Sequence, residues 1–344
     1  MRSALMPGRS AGEDEGAEVC TRTLWNTSGR GVYASRTMDW ATTTEPRLMV
    51  FPRGVHRDGG LLAGQRVAPE DESLRWTSTY GSVVATMYGV GSADGLNERG
   101  LGVHALYFTG TDFGPRTGAR PGVHAGLWVQ LLLDQAATVG EALELLDRVE
   151  LVMVSASGYA STLHVALEDA AGDSAIVEYI GGKKHVHHGR EHVVMTNDPD
   201  YDAQLAFLAE HDFTDATRET ELPGNVNPRD RFVRAAYYCR ALPEPASDRE
   251  AIAGVMAIAR NVSVPFGAPY TTPGTVYNTE YRTACDLTHR RYFFELTTNP
   301  SIVWVSLDDV DLAPGAPVLV LDPDDTDLAG DVSARFANAA AAPF

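Results

Sequence analysis

Cys20-Thr21-Arg22, a turn at Ser28-Gly29-Arg30, then Arg36-Thr37-Met38-Asp39-Trp40: this run reads as a hairpin. It puts a thiol, an arginine and an aspartate on two adjacent strands, within reach of one another. Nineteen residues of polar, Gly-rich chain precede the cysteine and differ in character from the rest of the sequence. The combination points to a cysteine that becomes the mature N-terminus once residues 1–19 are removed. One residue then supplies both a sulfur nucleophile and an amine base. A free thiol has a pKa near 8.5, and attack needs the thiolate, which a neighbouring guanidinium favours. Arg36, sixteen residues after Cys20, is the cross-strand candidate, and Asp39 is placed to orient the amine or the arginine. An α-amino group, with a pKa of about 7.7–8.0, accepts a proton near neutrality.

Working outward, 31–40 reads as a strand of mixed alternation, and further strands are predicted at 47–51, 74–79, 82–88 and 101–108. Asp94-Gly95-Leu96-Asn97-Glu98-Arg99-Gly100 reads as a dense turn between the last two. Helical spacing follows at 123–137 and 140–148, then strands at 163–167, 174–180 and 192–195. Helices are predicted at 201–210, 229–241 and 248–260, and long strands at 276–286, 290–298 and 301–307. Runs of strands alternating with runs of helices are not a β-α-β repeat. They predict an α+β fold, a four-layer αββα sandwich of two stacked antiparallel sheets flanked by helices. Residues 20–322 are read as one domain, and 323–344, rich in Asp, Ala and Gly, as a loosely packed C-terminal tail.

Bulk properties narrow the function. The chain has 344 residues and a formal net charge of −18, which disfavours nucleic acid and anionic membranes as partners. Three widely spaced cysteines (Cys20, Cys239, Cys285) argue against a disulfide framework, and the lack of a C-x-x-C pair against structural zinc. Lys183-Lys184-His185-Val186-His187-His188 reads as an exposed strand end. No metal and no cofactor are expected. No run approaches ~18 consecutive apolar residues, so no membrane span is predicted. The first nineteen residues carry Glu13, Asp14, Glu15 and Glu18 where a secretory signal is apolar or small. The cytoplasm is the expected compartment, with secretion left open should the start codon be misassigned.

Several further phrases stand in a fixed order: Phe51-Pro52-Arg53-Gly54, Trp76-Thr77-Ser78, the Asp94–Gly100 run ending in Leu101, Thr196-Asn197 and Arg231-Phe232-Val233-Arg234. Together with Cys20-Thr21 and the 36–40 run, they resemble the choloylglycine hydrolase family of N-terminal nucleophile hydrolases, from Cys20 to about residue 310. This family includes penicillin V acylases, conjugated bile salt hydrolases and relatives. The resemblance implies that Cys20 is nucleophile and, through its freed amine, base. It also implies that Arg36 and Asp39 are its active-site neighbours. Asn197 and the backbone N–H of Tyr107 would form the oxyanion hole, and Arg231 would be a further site arginine. Removing one preset donor of that kind costs about 3–4 kcal/mol in a transition state. The expected reaction is hydrolysis of a linear amide of a small N-acyl compound through a thioester. Met38, Trp40, Phe108 and Tyr80 are candidate walls for an apolar acyl group. Tyr107 and the phrases around 51–54, 76–82 and 94–101 look closer to the penicillin V and acyl-homoserine-lactone acylases than to bile salt hydrolases. Acyl transfer to an amine would use the same residues, and an uncleaved chain would be at most a binding module. The resemblance also implies a homotetramer.

Overall fold

The computed structural model describes residues 19–269, 276–299, 301–340 and 342–344. The expected leader lies outside them except for Val19. The chain opens with strands β1 (Val19–Trp25) and β2 (Tyr33–Trp40), paired antiparallel with Cys20 opposite Met38 and Arg22 opposite Arg36. Next come β3 (Leu48–Phe51), β4 (Ser82–Met87), β5 (Gly91–Asn97) and β6 (Gly102–Tyr107). Helices α1 (Trp128–Gln135) and α2 (Val139–Leu146) precede β7 (Leu163–Glu168), β8 (Ser174–Ile180), β9 (Lys183–His188) and β10 (Val194–Met195). Helices α3 (Tyr201–Ala209), α4 (Pro228–Ala241) and α5 (Asp248–Asn261) follow. Strands β11 (Val276–Asp286), β12 (Arg291–Leu296), β13 (Val303–Ser306), β14 (Leu319–Leu321), β15 (Gly330–Asp331) and β16 (Ala337–Asn338) close the chain.

Two large sheets result. One runs β10-β1-β2-β11-β12-β13-β15, the other β9-β8-β7-β6-β5-β4-β3-β14-β16. Within these two paths, pairing is antiparallel except between β13 and β15. Alternation decides which side chain goes where. On β1 and β2, Leu24, Ala34 and Met38 face the second sheet and pack with Leu96, Leu106, Ala166 and Ile176. Their alternates Trp25 and Tyr33 face Ile252, Val255 and Met256 of α5. On the far side, Trp128, Leu131 and Leu132 of α1 cover Val84, Val103 and Val165. Helices, sheet, sheet and helices stack as the sequence pattern predicts.

Three local readings change. The Asp94–Gly100 run is not all turn: its first four residues belong to β5, and the chain reverses only at Glu98–Gly100. Asp94 tolerates this interior place because Thr283 and Tyr292 donate hydroxyls to its carboxylate, at 2.6 and 2.8 Å. The helix expected at 123–137 starts at Trp128; Gly122–His124 is instead a strand parallel to Glu150–Val152. The C-terminal segment, expected to dock loosely, adds β15 to one sheet and β16 to the other, and Phe344 packs on Phe51 at 5.6 Å. In β9, His187 pairs with Asp202 and His188 with Asp173, each beside an acidic partner. All three cysteines are free and buried.

Candidate active site

Every even residue from Cys20 to Leu24 on β1 and from Ala34 to Trp40 on β2 points between the sheets, so the hairpin register sets Cys20, Arg36 and Met38 side by side. Arg36 Nη2 donates to Cys20 Sγ at 3.4 Å, and Cys20 Sγ lies 3.9 Å from Met38 Sδ. Burial is the largest influence on the Cys20 thiol and pushes its pKa up; Arg36 opposes it. Burial works against the Arg36 cation too, but Cys20, Tyr281 and Asp94 more than offset it, so Arg36 is held above its usual range.

The main chain of Cys20 is gripped from the helical side. Its N–H donates to Asn197 Oδ1 in a very short contact. Its carbonyl accepts from Arg231 Nη1 at 2.7 Å. Asn227 caps α4 by accepting from Asp230 N–H, and Pro228 opens the helix, which fixes Arg231 in the first turn. Arg231 Nη2 also donates to Asn197 Oδ1 at 3.2 Å. Asn197 Oδ1 thus faces two donors, and Nδ2 is left to donate to the Tyr107 carbonyl at 2.7 Å.

Asp39 sits on the opposite face of β2 from Arg36, where the register shifts after Met38. Thr37 Oγ1 donates to one of its oxygens at 3.0 Å, Thr279 to the other, and Arg231 Nη1 lies 3.8 Å away. Burial raises the Asp39 pKa from 3.8 to about 6, with Arg231 pulling it back. Burial likewise lowers the Arg231 pKa, against the pull of Asp39.

The thiol opens into a largely apolar pocket. Its walls include Met38, Trp40, Met87, Tyr88, Tyr107 and Tyr159. Tyr88 and Gly89 have φ of 53° and 64° and form a tight turn closed by Val90 N–H to the Met87 carbonyl. That turn aims the Tyr88 ring at Tyr159, stacked 6.2 Å away, while Trp40 Nε1 donates to the Tyr88 hydroxyl at 2.8 Å.

All six residues singled out in the sequence therefore meet here: Cys20, Arg36, Asp39, Asn197 and Arg231 form the polar cluster, and Tyr107 joins its rim. Of the expected walls, Met38 and Trp40 line the pocket and Phe108 and Tyr80 do not. Phe108 stacks on His164 instead, at 5.0 Å. Tyr88 and Tyr159 are wall residues that the sequence does not signal, because isolated tyrosines beside turns carry no distinctive pattern.

Residues 20–329 match the model of the linear amide C–N hydrolases, choloylglycine hydrolase family. A penicillin V acylase of Pectobacterium atrosepticum is 36% identical over 92% of this chain and 90% of its own length. A bile salt hydrolase/transferase of Bifidobacterium longum subsp. longum is 24% identical over 86% of this chain and 97% of its own. The solved structure of a penicillin V acylase from Agrobacterium tumefaciens superposes with a TM-score of 0.82 at 38% identity, covering 93% of this chain and 98% of that one. A conjugated bile acid hydrolase variant from Clostridium perfringens shares the fold, with a TM-score of 0.75 at 21% identity over 89% and 98% of the two chains. The chain therefore belongs to the choloylglycine hydrolase family, as an enzyme that hydrolyses linear amide C–N bonds.

Proposed function

We propose that Cys20, freed by cleavage of the Val19–Cys20 bond, hydrolyses amides with an aromatic or straight-chain acyl group, as in penicillin V or acyl-homoserine lactones. The supporting observation is the position of Cys20 Sγ, 3.4 Å from Arg36 at the floor of a largely apolar, aromatic-walled pocket. The freed amine takes the thiol proton as sulfur attacks the acyl carbon. The amide C–N bond then breaks, and the departing nitrogen carries that proton away. Water attacks the thioester, giving its proton to the amine, and the acid leaves as the thiol is restored.

A thiol pushed up by burial suits this route, because the proton is removed during attack rather than beforehand. Asn197 Nδ2 and the Tyr107 N–H are the proposed oxyanion donors. Arg36 stabilises the developing thiolate, while Arg231 and Asp39 hold the amine end of Cys20. No described helix is long and apolar enough to cross a membrane, and the substrate is a small molecule. The reading includes a cytoplasmic homotetramer.

Turnover of penicillin V, long-chain acyl-homoserine lactones and glycine-conjugated bile acids tests the assignment. Hydrolysis of one of the first two, with bile acids slower and Cys20→Ala inactive, is expected. Full activity in Cys20→Ala would end the assignment, and preferential turnover of bile acids would overturn the substrate class. The Bifidobacterium relative's name couples hydrolysis with transfer. Added amines should accordingly divert part of the product to new amides.

A further inference from the structure

Behind the nucleophile, five ionisable side chains lie in a row between the sheets, all fully buried. Arg36 Nη1 lies 3.8 Å from Asp94 Oδ1. His104 Nδ1 lies 3.4 Å from Asp94 Oδ2, and its Nε2 bonds Glu168 Oε1. Glu168 Oε2 accepts from Arg22 Nε at 3.0 Å and also from Nη2. The row starts and ends on the nucleophile's own hairpin, since Arg22 and Arg36 are direct cross-strand partners. Two guanidinium groups facing each other inside a sandwich repel unless anions separate them. Asp94 and Glu168 supply those anions, and His104, on β6 between them, sits between two carboxylates.

The charges do not balance without the thiol. With His104 protonated, three cations face two anions, and a Cys20 thiolate makes the third. With His104 neutral, the row is already neutral and a thiolate leaves it one charge in excess. We propose that Asp94, His104 and Glu168 are positioning residues that lock Arg36 against Cys20, and that an imidazolium at His104 supplies the cation that favours the thiolate of the attacking state. This rests on Cys20 being the nucleophile.

The groups facing His104 support the protonated form. Burial works against it, but Glu168 and Asp94 prevail and hold the His104 pKa above its ordinary value. His104 and Arg36 hold Asp94, and Arg22 and His104 hold Glu168, below the usual carboxylate range despite burial. The other titratable neighbours stay neutral: burial drives Tyr292 and Cys285, on β12 and β11, well up. Tyr281, which faces Arg36, behaves likewise. His164, further along β7, is engaged by Glu178 at 2.9 Å. The backbone is shaped for the row as well. A Cβ at Gly102 would stand 2.6 Å from Glu168 Oε1, so only glycine there leaves the carboxylate its place.

The test is the pH dependence of Cys20 alkylation by iodoacetamide, followed at the Cys20 peptide by mass spectrometry in wild type and His104→Gln. Removing the cation should move the alkylation pKa up by half a pH unit or more. It should also lower kcat with KM held, because His104 does not line the pocket. A folded His104→Gln whose alkylation profile overlays wild type overturns the proposal. Should that variant not fold, ¹⁵N-histidine spectra of wild type decide. One of the ten histidine rings should stay doubly protonated at pH 8 and lose that state in Glu168→Gln; ten rings all neutral at pH 8 would overturn it. Alkylation needs no turnover. A chain with the expected profile that cleaves no amide would therefore defeat the catalytic assignment and leave this one standing.

Discussion

Cys20 and Asp39 lie on opposite faces of the same pair of strands, and burial pushes both in the direction of holding their protons. For Asp39 this has a definite consequence for stability. Its folded pKa of about 6 exceeds the ordinary 3.8, so the native chain holds a proton that the unfolded chain releases. Between pH 3.8 and about 6 the native state binds more protons than the unfolded one, and stability from this group falls as pH rises. Above about 6 the loss is complete, with an upper bound of about 3 kcal/mol at 1.36 kcal/mol per pH unit. Asp39→Asn cannot ionise. Urea melts at pH 4 and pH 7 should show wild type losing ground to the variant by up to that amount; a gap that does not change with pH would remove the titration of Asp39 from the account. Activity should fall in the variant at every pH, because Arg231 loses its carboxylate partner beside the Cys20 main chain.

At the level of elements, β5 is the least intuitive strand. Its first residue, Gly91, faces the turn of Ala125–Leu127, and a Cβ there would sit 2.0 Å from the Gly126 carbonyl oxygen. Gly91 and Gly126 both line the pocket, so the contact closes one wall. Gly91→Ala must part strand and turn. We expect a loss of about 1–3 kcal/mol from overpacking, together with a raised KM and little change in kcat; thermal melts and steady-state kinetics read the two effects separately. An unchanged KM would show that this wall does not bound the acyl group. The same strand marks the limit of what the sequence reveals. β1 and β2 are legible because a cysteine, arginine and aspartate are spaced for a hairpin about the turn at Ser28-Gly29-Arg30. Asp94-Gly95-Leu96-Asn97 has the composition of a turn, and only tertiary partners make it a strand: Thr283 and Tyr292 from the facing sheet bind its carboxylate. Likewise nothing in the sequence marks the polar side chains of His104 and Glu168 as interior. They are turned inward, because the inter-sheet layer is charged as well as apolar. Asn197 and Arg231 gain their meaning from the ordered phrases they belong to, and Tyr107 from the family resemblance those phrases carry, since nothing local to a Thr-Asn pair or a helix-opening arginine names a site.

For the molecule as a whole, the decisive question is the covalent state of the Cys20 nitrogen. β1 is an interior strand, held by β10 on one side and β2 on the other, and Arg231 and Asn197 fix its first peptide from the helical layer. The place of Cys20 is therefore set by residues far along the chain, from 33 to 231. In the proposed mechanism the amine base requires the departure of residues 1–19. A nitrogen in peptide linkage to Val19 donates its hydrogen to Asn197 and has no basic lone pair to take the thiol proton. Active protein should therefore begin at Cys20 by intact mass and stepwise terminal degradation. If the cysteine cuts its own bond, Cys20→Ala should keep the mass of the full chain, melt within a few degrees of wild type and show no turnover. Loss of the leader in Cys20→Ala would assign the cut to another protease while preserving the amine's role. Turnover by material that still begins at Met1 would remove the amine from the mechanism and leave a cysteine without its base.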